Sequence, residues 1–248
     1  MEKQLLTKLS LQNLLAELSA RASDFATVYA DAAAFPTRMD TLLATPAANF
    51  NEIKESVKTE TVTREAEKYR TGAAIFWDGP GSRYIVLPPF PVPSNAVVIG
   101  ELDTAPLFEI WERKHVIGVV LVAWGSYGIG VFNGDRLVAS KVGTGYIHQK
   151  QKQGGSSQKR FARRTEEQKK AFLKRVANRT EEILRTHRLD YIFFGGNRLI
   201  RKPLLDECKY LQGQADKISG RVLEVRHANQ AVLEHSRFEI MKAAVFSF

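Results

Sequence analysis

The sequence predicts an α/β fold in which a mixed-sheet sandwich follows a smaller α+β domain. Residues 116–124 form an almost continuous apolar run, which is typical of a strand buried on both faces. Asn133-Gly-Asp135 then marks a hairpin turn between two short strand patterns. Beyond residue 165, helical apolar spacing alternates with strand patterns, and this alternation favours helices packed on a mixed sheet. We therefore expect an N-terminal α+β domain at 1–113 and an α/β domain at 114–248.

Leucines recur at helical spacing from Leu5 to Leu18, so the first domain is expected to open on an amphipathic helix. Strong turn residues at Asp78-Gly-Pro-Gly-Ser82 separate two strand patterns, as in a hairpin. In chain order, the elements predicted for this domain are the opening helix, a strand at 25–29, a helix at 50–69, strands at 73–77 and 84–87, and a strand at 97–99.

In the second domain, Thr165-Glu-Glu-Gln168 has the form of a capping box and predicts that a helix starts there, with a start near Lys159 as the alternative. Apolar residues from Phe172 to Leu184 mark the buried face of that helix. Pro203 predicts the first turn of a later helix. In chain order, the predicted elements are strands at 116–124, 129–132 and 136–140, the capped helix, a strand at 191–194, a helix at 203–211, a strand at 222–225 and a closing helix at 230–245.

The composition favours an anionic partner. The chain has 248 residues, a formal net charge of +9 and a pI near 9.6, and nucleic acid is the simplest partner for such a charge. The single cysteine, Cys208, excludes an internal disulfide and a Cys-rich zinc site, and we expect it to be a small core residue. The histidines lack ligand-like spacing, so no metal or other cofactor is expected. Without an apolar signal core or a membrane-length apolar run, we expect a cytoplasmic protein with no membrane partner.

The most informative segment is 146–164, which contains the sequence Gly154-Gly-Ser-Ser-Gln158. No Asp or Glu occurs between Arg136 and Thr165, so the cations of this segment need water or an anionic partner. Arginine binds phosphate with two parallel hydrogen bonds, and a second basic cluster follows the strand at 191–194. The RNA-binding candidates are Lys150, Lys152, Lys159, Arg160, Arg163, Arg164, Arg198 and Arg201.

Gly154-Gly-Ser-Ser-Gln158 is open to three interpretations from its residues alone. It is a polar connecting loop, a phosphate site made by backbone N–H groups, or an ester-hydrolysis loop in which Gln158 places a water. It lacks the spacing of a P-loop or of a dinucleotide-binding fingerprint. His148 is a candidate general base, although no acidic partner lies nearby in the sequence. Phe161 suits either stacking on a base or packing beneath the segment.

The run Gly-Gly-Ser-Ser-Gln-Lys-Arg-Phe-Ala-Arg-Arg at 154–164, between a β-meander and an amphipathic helix, resembles the Vms-like release factors. These are relatives of the central, peptidyl-tRNA-hydrolysing domain of eukaryotic and archaeal peptide-chain release factors, and the small bacterial members are the most similar. Translational release factors have a contiguous Gly-Gly-Gln, whereas two serines separate Gly155 from Gln158 in this sequence. The resemblance implies a release-factor central-domain fold for 114–248. It implies the catalytic residues Gln158, Gly154, Gly155 and Ser157.

The resemblance also implies a peptidyl-tRNA hydrolase that releases nascent chains on stalled or obstructed large ribosomal subunits, with peptidyl-tRNA and ribosomal RNA as its partners. Gln158 would order one water in the peptidyl-transferase centre, and positioning of this kind supplies about 7–11 kcal/mol in the best cases. Two alternatives stay open. One is a tRNA-cleaving nuclease that uses His148, and the other is a non-catalytic ribosome- or RNA-binding factor that uses the segment as an anchor.

Overall fold

The structure is a computed structural model that describes residues 1–20, 24–45, 47, 49–79, 81–147 and 156–248, with the backbone alone described at 156–159. Contacts within the chain define two compact units. Unit 1 contains Met1–Arg113 and Phe238–Phe248, and unit 2 contains Lys114–Arg237. Each unit is built around its own β-sheet.

The described residues form the following strands and helices. The strands are β1 (Glu2–Leu6), β2 (Ala26–Ala30), β3 (Ala73–Asp78), β4 (Ser82–Leu87), β5 (Ala96–Ile99), β6 (Val116–Ala123), β7 (Ser126–Asn133), β8 (Arg136–Thr144), β9 (Tyr191–Gly196), β10 (Ile218–Leu223) and β11 (Ala243–Ser247). The helices are α1 (Lys8–Ser19), α2 (Met39–Leu42), α3 (Phe50–Val57), α4 (Glu60–Tyr69), α5 (Ala105–Glu112), α6 (Ser156–Leu184), α7 (Arg198–Glu207), α8 (Lys209–Gln212) and α9 (Gln230–Ile240).

The sheet of unit 1 has six antiparallel strands in the order β1-β11-β4-β3-β2-β5. Its core joins apolar side chains of α3, such as Phe50 and Ile53, to strand residues that include the fully buried Trp77. An ion pair between Lys3 Nζ and Glu65 Oε2, at 2.9 Å, ties the edge strand β1 to α4. The ladder with β11 and this ion pair therefore attach the edge strand β1 to unit 1.

Unit 1 differs from the sequence prediction at the opening helix, at the helix predicted for 50–69 and in two further helices. The predicted opening helix is wrong at its start, because residues up to Leu6 form β1 and pair with β11. Helix α1 begins after Thr7, whose hydroxyl accepts a hydrogen bond from the N–H of Ser10 at 3.2 Å. The predicted helix at 50–69 is two helices, α3 and α4, because Thr59 adopts an extended conformation between them. Helices α2 and α5 were not predicted.

The sheet of unit 2 has five strands in the order β10-β9-β6-β7-β8. Strands β10, β9 and β6 are parallel, whereas β6, β7 and β8 form an antiparallel meander. Helix α6 contributes Phe172, Val176 and Leu184 to the core, where Ile129 and Ile192 of the sheet meet them. The predicted mixed sheet and α/β fold class are confirmed.

The C-terminal segment differs from the predicted closing helix at 230–245. Helix α9 ends at Ile240, and the residues beyond it form β11. Strand β11 pairs with β1 and β4, so 238–248 lie in unit 1, although the sequence assigned them to the domain at 114–248. A short apolar run fits a helix or a buried strand equally well, and only distant pairing decides between them. The helix predicted at 203–211 starts earlier, at Arg198, and Pro203 lies inside it.

Candidate nucleic-acid interface

Helix α6 has two parts that differ in burial. Its 29 residues extend about 43 Å at 1.5 Å per residue. From Phe172 onward, one face of the helix is buried in the core of unit 2. From Arg160 to Ala171, no side chain is buried. We call residues 156–171 the basic arm.

Thr165 lies in the middle of the basic arm, so the predicted helix start at Thr165 is wrong. Its hydroxyl donates to the carbonyl of Phe161, four residues earlier, at 3.0 Å. Threonine makes this hydrogen bond when it lies in the interior of a helix. Helix α6 begins instead at Ser156, closer to the alternative start near Lys159. As a result, Gln158, predicted to lie in a loop, has a helical backbone in the first turn of α6.

Charge pairs along the helix support the basic arm. Arg163 Nε lies 3.0 Å from Glu167 Oε1, one turn further along. Lys169 Nζ lies 2.7 Å from Glu166 Oε1. Pairs with this spacing stabilise a helix by about 0.2–0.5 kcal/mol each, and most residues of the arm are good helix formers. These pairs support the helix of the basic arm, in which no side chain from Arg160 to Ala171 is buried.

Positive charge dominates the arm, which carries six Lys or Arg residues and two Glu residues. Arg160 and Arg164 are exposed, lie one turn apart, and form no ion pair with another described residue. Arg163 shares its charge with Glu167. Two of the predicted RNA-binding arginines thus lie on one helix face with their charge available to an anion.

The other predicted residues of this segment fall into two groups. The residues outside the described part of the chain are His148, Lys150, Lys152, Gly154 and Gly155. The residues in the first turn of α6, where the structure describes the backbone, are Ser157, Gln158 and Lys159. The last three residues of the Gly-Gly-Ser-Ser-Gln sequence, Ser156 to Gln158, therefore form the N-terminal end of α6.

An aromatic cluster holds α6 on the sheet where the basic arm ends. The ring centroid of Phe172 lies 6.2 Å from the rings of both Trp124 and Tyr127. A β-carbon at Gly145 would lie 2.7 Å from Cδ2 of Phe172, so glycine leaves the space that this ring fills. Lys169 Nζ lies 5.3 Å from the centroid of the Trp124 ring. This cluster fixes the point from which the arm leaves unit 2.

Sequence analysis placed Trp124 at the end of the strand predicted at 116–124 and gave it no further role. Trp124 and Gly125 form the two-residue turn between β6 and β7, and Gly125 has a φ of +91°. The N–H of Gly145 donates to the carbonyl of Gly125 at 2.9 Å, so this turn lies beside the residues that follow β8. Small polar residues prevail in two-residue turns, so a large aromatic residue there is the feature of the sequence that could have drawn attention to Trp124.

The second basic cluster has partners of its own. Arg201 Nη2 donates to the carbonyl of Ser219 at 3.0 Å, and the guanidinium carbon lies 5.5 Å from the Phe194 ring centroid. Arg198 Nη2 lies 3.2 Å from Glu224 Oε1, with both side chains exposed. Arg201 therefore supports the irregular strand β10, while Arg198 remains on the surface as an RNA-binding prediction.

Other chemistry-bearing side chains have structural surroundings. Cys208 is buried, as predicted, and burial raises the pKa of its thiol. Within the described ranges, no group of three or more His, Cys, Asp and Glu side chains is placed to hold a metal ion. In the part of the chain that the structure describes, no helix combines the length and apolarity needed to cross a membrane.

Comparison with known families identifies the class of protein. Residues 115–245 match the sequence model of a release factor family, described as Actinobacteria/chloroflexi VLRF1 release factor. This match covers more than half of the chain, and the chain belongs to that family. It is therefore a release-factor-like protein of translation, a class whose members act on ribosomes, which confirms the predicted resemblance.

Solved structures show a distant likeness. An archaeal translation termination factor, aRF1, is 15% identical, with 90% of this chain and 67% of that chain covered and a TM-score of 0.38. Another archaeal protein is 16% identical, with coverages of 94% and 70% and a TM-score of 0.36. Pelota from Archaeoglobus fulgidus is 10% identical, with coverages of 96% and 61% and a TM-score of 0.28.

Proposed function

We propose that the protein is a peptidyl-tRNA hydrolase, which releases nascent chains from tRNA on stalled or obstructed large ribosomal subunits. The observation that carries the proposal is the position of Gly154-Gly-Ser-Ser-Gln158 at the N-terminal end of the basic arm. From Ser156 to Phe172 the helix rises about 24 Å, so the first turn of α6, which contains Gln158, lies about that far along the helix from the residue where its buried face begins. Such a helix suits a site that lies deep inside RNA.

The charge of the arm supports an RNA environment. Arg160 and Arg164 present their guanidinium groups on one face without an ion pair to another described residue. Each arginine that binds an RNA phosphate releases condensed counterions, which favours binding and makes it depend on salt. The arm would therefore enter an RNA cavity with its cations along the walls and Gln158 at its leading end.

The chemistry requires placement rather than a strong base. The ester between peptide and tRNA is already activated, and hydrolysis needs one ordered water and stabilisation of the developing oxyanion. The neutral amide of Gln158 both donates and accepts hydrogen bonds, so it suits the alignment of a water. The first backbone N–H groups of α6 lack acceptors within the helix and carry its positive dipole end, which favours an oxyanion nearby.

A release assay tests the proposal directly. The full chain is incubated with purified stalled large subunits that carry labelled peptidyl-tRNA, and peptide is then separated from tRNA. We expect free peptide together with tRNA that keeps its intact CCA end. Shortened tRNA would instead identify a nuclease, and intact peptidyl-tRNA on subunits that have bound the protein would identify a non-catalytic binding factor. Either result contradicts the proposal.

A further inference from the structure

We propose that Trp124 is a stacking site for an unpaired RNA base, and that Tyr146, Lys169 and Arg175 complete this site at the base of the basic arm. We call these four residues the root site. The inference rests on the proposed function in one respect, which is that the RNA would be the RNA of the ribosome. It adds a contact at the opposite end of the arm from Gln158.

The backbone brings the two aromatic residues of the root site close together. Trp124 precedes Gly125 and Tyr146 follows Gly145, and the N–H of Gly145 donates to the carbonyl of Gly125 at 2.9 Å. The exposed fractions are 37% for Trp124 and 76% for Tyr146, although both rings are large and apolar. Because their backbone segments are hydrogen-bonded to each other, these two exposed aromatic residues are placed to contact the same ligand.

The indole of Trp124 is supported by the core while it stays accessible. Its ring meets that of Phe172 at a centroid distance of 6.2 Å and an interplanar angle of 51°. Phe172 is itself buried, so it limits the motion of the indole. A fixed, partly exposed indole loses little conformational freedom when a base stacks on it, which is the property of a binding platform.

Cations flank the aromatic patch on the side of α6. Lys169 Nζ lies 5.3 Å from the Trp124 ring centroid and also pairs with Glu166. Arg175 is exposed, and its Nη1 donates to the carbonyl of Thr144 at 3.4 Å. Aromatic rings beside cations match the two parts of a nucleotide, because the base stacks while its phosphate meets the positive charge. An unpaired RNA strand is therefore the partner that this surface fits.

The fluorescence of Trp124 provides a direct test. The chain has three tryptophans, and the exposed fractions of Trp77 and Trp111 are 0% and 6%, so Trp124 is the one that a bound base can reach. We expect single-stranded oligoadenylate of about ten nucleotides to quench the tryptophan emission as it is titrated in. The Trp124→Phe variant should lose this quenching. Absence of quenching, or quenching that persists in Trp124→Phe, overturns the proposal.

Affinity measurements separate stacking from structural support. Anisotropy of a labelled oligoadenylate should show about tenfold weaker binding by Trp124→Leu and nearly unchanged binding by Trp124→Phe, since phenylalanine keeps an aromatic face. Leucine keeps apolar contact with Phe172, and thermal unfolding checks that both variants fold. Unchanged affinity of a folded Trp124→Leu overturns the proposal. Neither readout requires peptide release, so loss of the hydrolase hypothesis alone would leave this result intact.

Discussion

The ring of Phe172 occupies the space beside Gly145, where an added β-carbon would lie 2.7 Å from Cδ2 of the ring. The contact joins the start of the buried face of α6 to the residues that follow β8. It sets the position of the basic arm, because α6 has no buried side chain between Arg160 and this contact.

We expect Gly145→Ala to lower the free energy of unfolding by about 1–3 kcal/mol, since the new methyl group forces the Phe172 ring to shift. Chemical denaturation measures this change. Gly128→Ala is the matched control, because a β-carbon there has its nearest neighbour at 3.6 Å, an ordinary contact distance. Equal destabilisation by both variants would show that the contact with Phe172 is not tight.

The salt dependence of ribosome binding should identify the arginines that contact RNA. We expect Arg160→Ala and Arg164→Ala each to reduce the slope of log affinity against log salt by about 0.7–0.9. Arg163→Ala should have a smaller effect, because Arg163 is paired with Glu167. Arg188→Ala removes an exposed arginine beyond the C-terminal end of α6 and serves as the control. If Arg188→Ala reduces the slope of log affinity against log salt as much as the other variants do, binding follows net charge alone.

Thr165 should tolerate loss of its hydroxyl. Its side chain bonds to the carbonyl of Phe161 inside α6, so it caps no helix end. We expect Thr165→Ala to change the free energy of unfolding by less than about 0.5 kcal/mol. Thr7→Ala is the comparison, because Thr7 caps α1 and loss of such a cap costs about 1 kcal/mol. A larger cost at Thr165 than at Thr7 would place a helix start at Thr165 after all.

The stability of unit 1 should depend on pH through Glu65. Burial raises the pKa of Glu65, but hydrogen bonds from Lys68 and Lys3 lower it more, so the pKa lies below the usual glutamate value. The resulting stabilisation is present above the pKa of an unfolded glutamate, roughly 4.3, and is lost as pH falls through the folded pKa. Glu65→Gln should therefore destabilise unit 1 by about 1–3 kcal/mol at neutral pH and by less in acid.

Denaturation curves at several pH values measure this difference. Glu67→Gln, an exposed glutamate on the same helix with no ion pair to another described residue, is the control and should show little pH-dependent difference. A difference between Glu65→Gln and the unmodified protein that stays constant from neutral to acidic pH would contradict the account.

Elements with a strong local signal could be predicted from the sequence. The apolar run at 116–124 gives β6 at Val116–Ala123, since a strand buried on both faces accommodates so many adjacent apolar residues, and only Trp124 lies beyond it in the turn. Asn133-Gly-Asp135 spans the turn between β7 and β8, as its turn chemistry indicates. In both cases the residues within a few positions decide the structure.

Elements that depend on distant partners could not be predicted. Strand β1 exists because it pairs with β11, more than two hundred positions away, and neither sequence alone favours a strand over a helix. The start of α6 was placed at Thr165, with Lys159 only as the alternative, because Thr165 resembles a cap, whereas charge pairs continue the helix through it. The contact of Gly145 with Phe172 depends on packing that periodicity does not reveal.

The most direct test of the central claim is the rate of peptide release by Gln158→Ala on stalled large subunits. We expect the rate to fall by about 10²–10³, the usual cost of losing one group that positions the reaction, while the dissociation constant for the subunit changes less than about twofold. Gln168→Ala, which removes the same side chain further along α6, should release peptide normally. Near-normal release by Gln158→Ala, or loss of binding in proportion to loss of release, would contradict the assignment of Gln158 as the catalytic residue.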